Sequence, residues 1–256
     1  MKVAIFIHGQ PRLIDKSLFN HLDKQNIDYD IYISYWNNLI NYSQNTTGVI
    51  NNSNLMNNPN IHNILVKHYN PKRIVGENEP ILNFTDRYDD CPDKNVNRRV
   101  PELCAIGLQK AFSLCDKIDD YDWLIKTRFD LVFPLKKIVN QRCRMQIINN
   151  ITQRINYLKN DLAINFTNCD PDKINFPDIY NFNKSDKNEP ISEFFIVKPK
   201  FKKLFTYYND LKFGGNNPAN ESILKHICDH YNYELNSMNI TIGLNRMYNT
   251  PDYVFN

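Results

Sequence analysis

The sequence predicts an α/β protein, and three observations carry that prediction. An apolar run from Val3 to Ile7 stops at polar His8-Gly9-Gln10, as a buried strand running into a turn does. A helical stretch then leads to a second strand-like run from Tyr29 to Ser34, which makes a strand–helix–strand unit with parallel pairing and a right-handed crossover. Farther on, a helical pattern over Val100 to Ile118 precedes a third such run, Trp123 to Thr127. Composition agrees: of 256 residues, 42% are hydrophobic and 23% charged, a globular balance that excludes wholesale disorder. The length suits one large domain or two small ones, and the chain is read as one domain over residues 1–256, with ample core material in 15 Tyr and 15 Phe.

Taken in order, strand one is Lys2 to Ile7 and the first helix spans Lys16 to Lys24. Strand two, Tyr29 to Ser34, is closed by Tyr35-Trp36. Residues 37–60 are Asn-rich with weak periodicity and read as a loop. Ile64 to Tyr69 lead through Pro71 into a short third strand, Lys72 to Val75. Residues 76–100, polar and holding Pro80 and Pro92, read as a second loop. Over Val100 to Ile118, Leu103, Ile106, Leu108, Ala111, Phe112, Leu114 and Cys115 recur at three- and four-residue spacing, a helix with a wide apolar face. The strand Trp123 to Thr127 ends in Arg128-Phe129-Asp130.

Beyond Pro134, helix is expected within 138–158, loop over 161–184 and a strand over Ile191 to Val197. A helix over Lys200 to Leu211 is closed by Gly214-Gly215, a second follows over Pro218 to Tyr231, and Asn239 to Ile242 are strand-like. Neither an internal repeat nor an interdomain linker is visible.

Several function classes are excluded. A net charge of +3 implies no polyanionic partner, and the short basic run Lys198 to Lys203 reads as the solvated start of a helix, so no nucleic acid is expected. No apolar run approaches the roughly 18–20 residues of a membrane span, and the opening run is too short for a secretory core. The six cysteines form no CxxC pair, so reduced thiols and a cytoplasmic location (the host cytoplasm for a viral protein) are expected. Asparagine fills roughly 15% of the chain, a bias AT-rich genomes impose, and it makes chance N-x-S/T matches common. With only seven Gly, the chain has no P-loop and no G-x-G-x-x-G, and it also lacks G-x-S-x-G and H-E-x-x-H.

Two strand ends carry candidate chemistry. His8-Gly9-Gln10-Pro11-Arg12 follows strand one, and ligands of open α/β sheets bind beyond strand carboxyl ends. Gly9 admits close backbone approach, Pro11 stiffens the turn, and Arg12 suits a phosphate; the alternative is a plain turn. Arg128-Phe129-Asp130 takes the matching position after Thr127. Asp130 suits a divalent ion held against a diphosphate, with Lys126 or Arg128 neutralising phosphate charge. The alternative is a turn-capping Asp130 with Arg128 paired to Asp120 or Asp122.

Together these segments resemble a family. Lys2 to Arg12 is similar to the "hydrophobic strand, then S/H-G-Q-P-R" opening of glycosyltransferase-like proteins found in surface-polysaccharide gene sets and large DNA viruses. Asp30-Ile31-Tyr32-Ile33-Ser34-Tyr35-Trp36 resembles its D-[VI]-[FY]-[IV]-x-x-W strand, and Tyr121 to Asp130 its Y-D-x-[IV]-[IV]-[KR]-x-R-x-D strand. Ile191-Ser192-Glu193-Phe194-Phe195 and Pro218-Ala219-Asn220-Glu221 look like its late acid-before-strand and P-x-x-E blocks, and Arg246 like a late arginine. The blocks keep family order across most of the chain.

The resemblance implies a GT-A-like fold: a Rossmann-type, mixed and mostly parallel sheet flanked by helices. The implied activity is transfer of a sugar from a nucleotide-sugar donor to a glycan, glycolipid or glycoprotein acceptor. Asp130 then takes the place of the last acid of a D-x-D motif that holds Mn²⁺ or Mg²⁺, whereas Arg128 stands where the first acid belongs. His8, Gly9, Gln10, Arg12, Trp36, Lys126 and Arg128 would bind the donor, with Trp36 either stacking on it or belonging to the core. Glu193 would be the catalytic base, or else an exposed edge carboxylate; Glu221 would bind acceptor hydroxyls, or else favour its helix's first turn. The alternatives are a non-catalytic nucleotide- or glycan-binding protein on the same fold, and a sugar nucleotidyltransferase, whose G-x-G-T-R-like loop is missing.

Overall fold

A computed structural model describes residues 1–11, 14, 17–37, 58–78, 80, 99–129, 131–132, 166–179, 194–207 and 223–244. Within them the strands are β1 (Lys2–Gly9), β2 (Asp28–Trp36), β3 (Arg73–Glu77), β4 (Trp123–Thr127), β5 (Leu131–Val132), β6 (Ile174–Ile179), β7 (Phe195–Val197) and β8 (Leu235–Leu244). The α-helices are α1 (Ser17–Lys24), α2 (Ile61–Tyr69), α3 (Arg99–Ser113) and α4 (Ile223–Tyr231). The strands join in the order β3-β2-β1-β4-β7-β6-β8-β5. β1 pairs in parallel with both β2 and β4, and β2 with β3, while β7 and β5 run against the rest. The sheet is therefore mixed and mostly parallel, as the α/β reading expects.

Alternation along β1 explains why helices cover both faces. Val3, Ile5 and Ile7 enter one apolar cluster with Leu18, Phe19 and Leu22 of α1 and Ile61, Leu65 and Tyr69 of α2. Ala4 and Phe6 enter a second with Ala105, Leu108 and Ala111 of α3 and Phe201, Leu204 and Phe205. A strand buried on both sides reads as an unbroken apolar run, which is what Val3 to Ile7 is. Phe6 anchors the second cluster, stacking on Tyr32 at 5.5 Å and meeting Phe205 edge-on at 5.0 Å.

Strand β4 has its predicted bounds; the other elements depart from expectation in informative ways. Over 161–184, expected to be loop, Ile174–Ile179 form β6. Pro177 suggested a loop, but it sits at a register irregularity between Phe176 and Asp178, where a proline is tolerated within a sheet. Helix α2 was not expected; Ile61, Leu65 and Tyr69 are its buried stripe, and Asn70 ends it with φ 46°, directly before Pro71. The helix expected from Val100 stops at Ser113, and a separate 3-10 turn covers Ile118–Asp120. The helix expected from Lys200 is a 3-10 segment over Pro199–Phe205, broken at Phe201 (φ −93°, ψ 19°). Most of residues 37–60, all of 138–158 and the Gly214-Gly215 stop lie outside the described residues.

A polar cluster ties the amino-terminal edge of the sheet. Asp30 of β2 accepts hydrogen bonds from Lys72 Nζ (2.8 Å) and the Tyr121 hydroxyl (2.5 Å), and pairs with Lys2 at 3.3 Å. Tyr32 completes it, its hydroxyl 2.7 Å from that of Tyr121. Partial burial by itself would push the Asp30 carboxyl up, but the hydrogen bonds from Lys72, Tyr121 and Lys2 outweigh it and hold the group below its ordinary value. A carboxyl lowered on folding contributes stability that is present above its unfolded pKa and is lost as pH falls through the folded one. In urea titrations from pH 6 down to pH 2, the native chain should therefore lose stability more steeply than Asp30→Asn. Equal slopes would mean that the cluster holds no folding-linked proton.

Candidate functional site

The chain order places a switch point in the sheet. From β1 it steps through β2 to β3 on one side, with α1 and α2 over one face, then returns through α3 over the other face to β4. Right-handed crossovers require this change of face when the direction of winding reverses. The gap left beyond the carboxyl ends of β1 and β4 is where open α/β sheets bind ligands. His8, Gly9 and Gln10 lie there, facing Arg128.

Pairing fixes who meets whom. Ile7 pairs with Thr127 and Phe6 with Lys126, so His8 comes level with Arg128. On its other side His8 pairs with Ser34, and Gly9 with Tyr35. By alternation His8, Ser34 and Lys126 share the face covered by α3, on which Lys126 Nζ lies 6.0 Å from the centre of the Phe195 ring. Gly9 has φ 108°, a backbone state that favours glycine, and it turns the chain away at the strand end.

His8 is the unusual group. Its side chain is 2% exposed, and neither ring nitrogen has a hydrogen-bond partner. Burial pushes its pKa well below the ordinary histidine value, and the Lys126 and Arg128 cations push it the same way. The ring is therefore neutral at pH 7, offering one N–H donor and one acceptor, both unused. Groups in that state are rare in folded proteins and mark places where a ligand or water completes the bonding.

Helix α3 closes the site from above with Gly107. A Cβ there would stand 3.4 Å from His8 Nδ1 and 3.5 Å from Trp36 Cζ2, so the bare backbone sits directly against both rings. Trp36, 3% exposed, packs under α3 with Lys110 Nζ 5.4 Å from its ring, and Lys110 is in turn ion-paired with Glu77 of β3. Tyr35 points to the opposite face, where its hydroxyl lies 3.1 Å from His62 Nδ1 and its ring lies against the backbone of Gly76.

Of the predicted site residues, His8, Gly9, Gln10, Trp36, Lys126 and Arg128 are brought together at one end of β1, β2 and β4. Arg12, Asp130, Glu193 and Glu221 lie outside the described residues. Sequence reasoning missed Ser34, Gly107 and Lys110. The signal for Gly107 was available: a glycine inside an otherwise apolar helical pattern asks for a packing or functional reason.

Asp130, the carboxylate through which the resemblance implies a divalent ion, lies outside the described residues. No group of three or more His, Cys, Asp or Glu converges among them, and the charges described at the switch point, Lys126 and Arg128, are positive. What these groups fit is an anion. The basic run Lys198 to Lys203 is a different case, because its charges are engaged locally. Lys198 lies 4.1 Å from the centre of the Trp123 ring and Lys203 5.8 Å from that of Tyr231; Lys200 pairs with Asp172 and Lys202 with Asp119. No helix among the described residues is long and apolar enough to cross a membrane. No protein-family model matches the chain, and no curated protein matches it.

Proposed function

We propose that the chain, read as one domain over residues 1–256, is a GT-A-like glycosyltransferase that moves a sugar from a nucleoside-diphosphate donor to a glycan, glycolipid or glycoprotein acceptor. The observation that supports this best is the convergence at the sheet's switch point of Lys126, Arg128, the unpartnered imidazole of His8 and the positive-φ turn at Gly9. A mostly parallel sheet with helices on both faces suits such a domain, although a fold by itself fixes no substrate.

In this reading the bond between the anomeric carbon and the diphosphate oxygen breaks as an acceptor hydroxyl oxygen attacks that carbon. The departing diphosphate gathers negative charge, which Lys126 and Arg128 stabilise from fixed positions at the end of β4. The acceptor proton passes to a carboxylate, for which Glu193 is the proposed base. Glu221 is the proposed contact to the acceptor, and Arg12 joins the phosphate contacts.

A thermal-shift series with UDP, GDP, CDP, ADP and their sugar conjugates tests the reading, each with and without Mn²⁺ because Asp130 is the proposed metal carboxylate. One nucleoside diphosphate should raise the melting temperature through ligand linkage. Arg128→Ala should weaken that ligand about tenfold or more by calorimetry, the loss expected for a charge-assisted contact to phosphate. No shift with any nucleotide would sink the donor reading.

The arginine that replaces the first acid of D-x-D favours one second reading, a non-catalytic binder on the same fold. Turnover separates the two: an enzyme slowly hydrolyses or transfers the sugar of the donor that stabilises it, and a binder leaves it intact.

A further inference from the structure

We propose that His8 is a proton-loading contact for the phosphoryl group at this switch point. An anionic phosphoryl oxygen accepts a hydrogen bond from one ring nitrogen, and a proton drawn from solvent loads the other, so that an imidazolium joins Lys126 and Arg128 around the anion. This inference rests on reading the site as a diphosphate site.

The geometry carries it in three steps. First, both ring nitrogens are buried and unsatisfied, so the ring is built to meet something other than the protein. Second, the charged groups nearest the ring are cationic, and they alone oppose its protonation together with burial. From β2 the ring faces Ser34 and Trp36, from β4 Lys126 and Arg128, and from α3 Gly107. One turn on, Lys110 is already paired with Glu77 of β3; one turn back stands Cys104. No described carboxylate faces the ring to favour its protonation. Third, a bound anion reverses the sign of that field and supplies acceptor oxygens, the two things an imidazolium at this position lacks. Ligand binding and proton uptake are then linked, and each strengthens the other.

The inference gives the site a way to assemble positive charge only when the anion is present, while the ligand-free site avoids a third cation. It also sets a direction: relative to a variant without the imidazole, affinity for the anion falls as pH rises through the ligand-bound pKa of His8.

The test is calorimetry of inorganic pyrophosphate and of the nucleoside diphosphates at pH 7 in two buffers of different ionisation enthalpy, with native protein and His8→Asn. The native chain should take up more protons per ligand bound than the variant, by up to about one, and bind about tenfold more tightly. In parallel, ¹⁵N spectra of the native chain's histidines should show the His8 nitrogens moving from a neutral to an imidazolium pattern on addition of pyrophosphate. This second readout stands even if the variant does not fold. Binding with unchanged His8 nitrogens, or with equal proton uptake by both proteins, overturns the proposal. Pyrophosphate binding with His8 loading but without nucleotide preference supports it and overturns the donor reading instead. Failure of the native chain to bind either class of anion overturns both.

Discussion

Replacing Asn175 with alanine should lower the stability of the fold by roughly 3–5 kcal/mol, because it leaves several buried polar groups unpaired at about 1–3 kcal/mol each. Its side chain, 0% exposed in β6, shares its two Nδ2 hydrogens among the carbonyls of Asp170 (2.9 Å), Lys173 (3.2 Å) and Ile196 (3.1 Å). Its Oδ1 accepts from the Asp170 backbone N–H (2.8 Å) and from Asn236 Nδ2 (2.7 Å). One amide thereby ties the turn before β6 to β7 on one side and β8 on the other. That matters because, among the described residues, the pairing of β6 with β7 is narrow, with Asn175 opposite Ile196. In a chain of this size the loss corresponds to a melting temperature lower by about 10 °C. Asn175→Asp separates hydrogen bonding from packing: it keeps the volume but turns an acceptor toward carbonyl oxygens, so it should be at least as damaging as alanine. If Asn175→Asp melts with the native chain, the amide is not the clip described here.

This clip also marks where the sequence was legible and where it was not. Val3 to Ile7 and Trp123 to Thr127 were readable as strands because both faces of the central sheet are buried, so every position in the run is apolar or packs as if it were. The strand around Asn175 was not readable: it contains a buried polar residue and a proline, and each makes sense only through partners distant in sequence. The same division holds at the site. Gly9 and Arg128 announce themselves as strand-end residues, and the crevice rule puts them together. That His8 would be buried with both nitrogens unsatisfied depends on α3 lying across it, and no local pattern near His8 encodes that contact. Asparagine 70 is the intermediate case, since an Asn-Pro pair after an apolar stripe states a helix stop that a nine-residue helix is otherwise too short to make conspicuous.

Gly107→Ala should separate stability from function at the site. An alanine in a helix interior is favoured over glycine by about 1 kcal/mol, and the new Cβ would meet His8 Nδ1 and Trp36 Cζ2 close to ordinary contact distance. The variant should thus melt at or slightly above the native temperature. The methyl would nevertheless press against Nδ1, hindering a ligand oxygen that has to reach it, and affinity for pyrophosphate should fall about tenfold, the worth of one charge-assisted hydrogen bond. Gly107→Leu should lose both, overpacking the rings at a cost of about 1–3 kcal/mol. A glycine kept for packing alone behaves differently: alanine would then leave affinity untouched. Raised stability with unchanged affinity would therefore mean that no ligand contact runs through Nδ1. Reduced affinity at undiminished stability would mean that the helix gives up favourable backbone energy at Gly107 to spare the ligand's approach to His8.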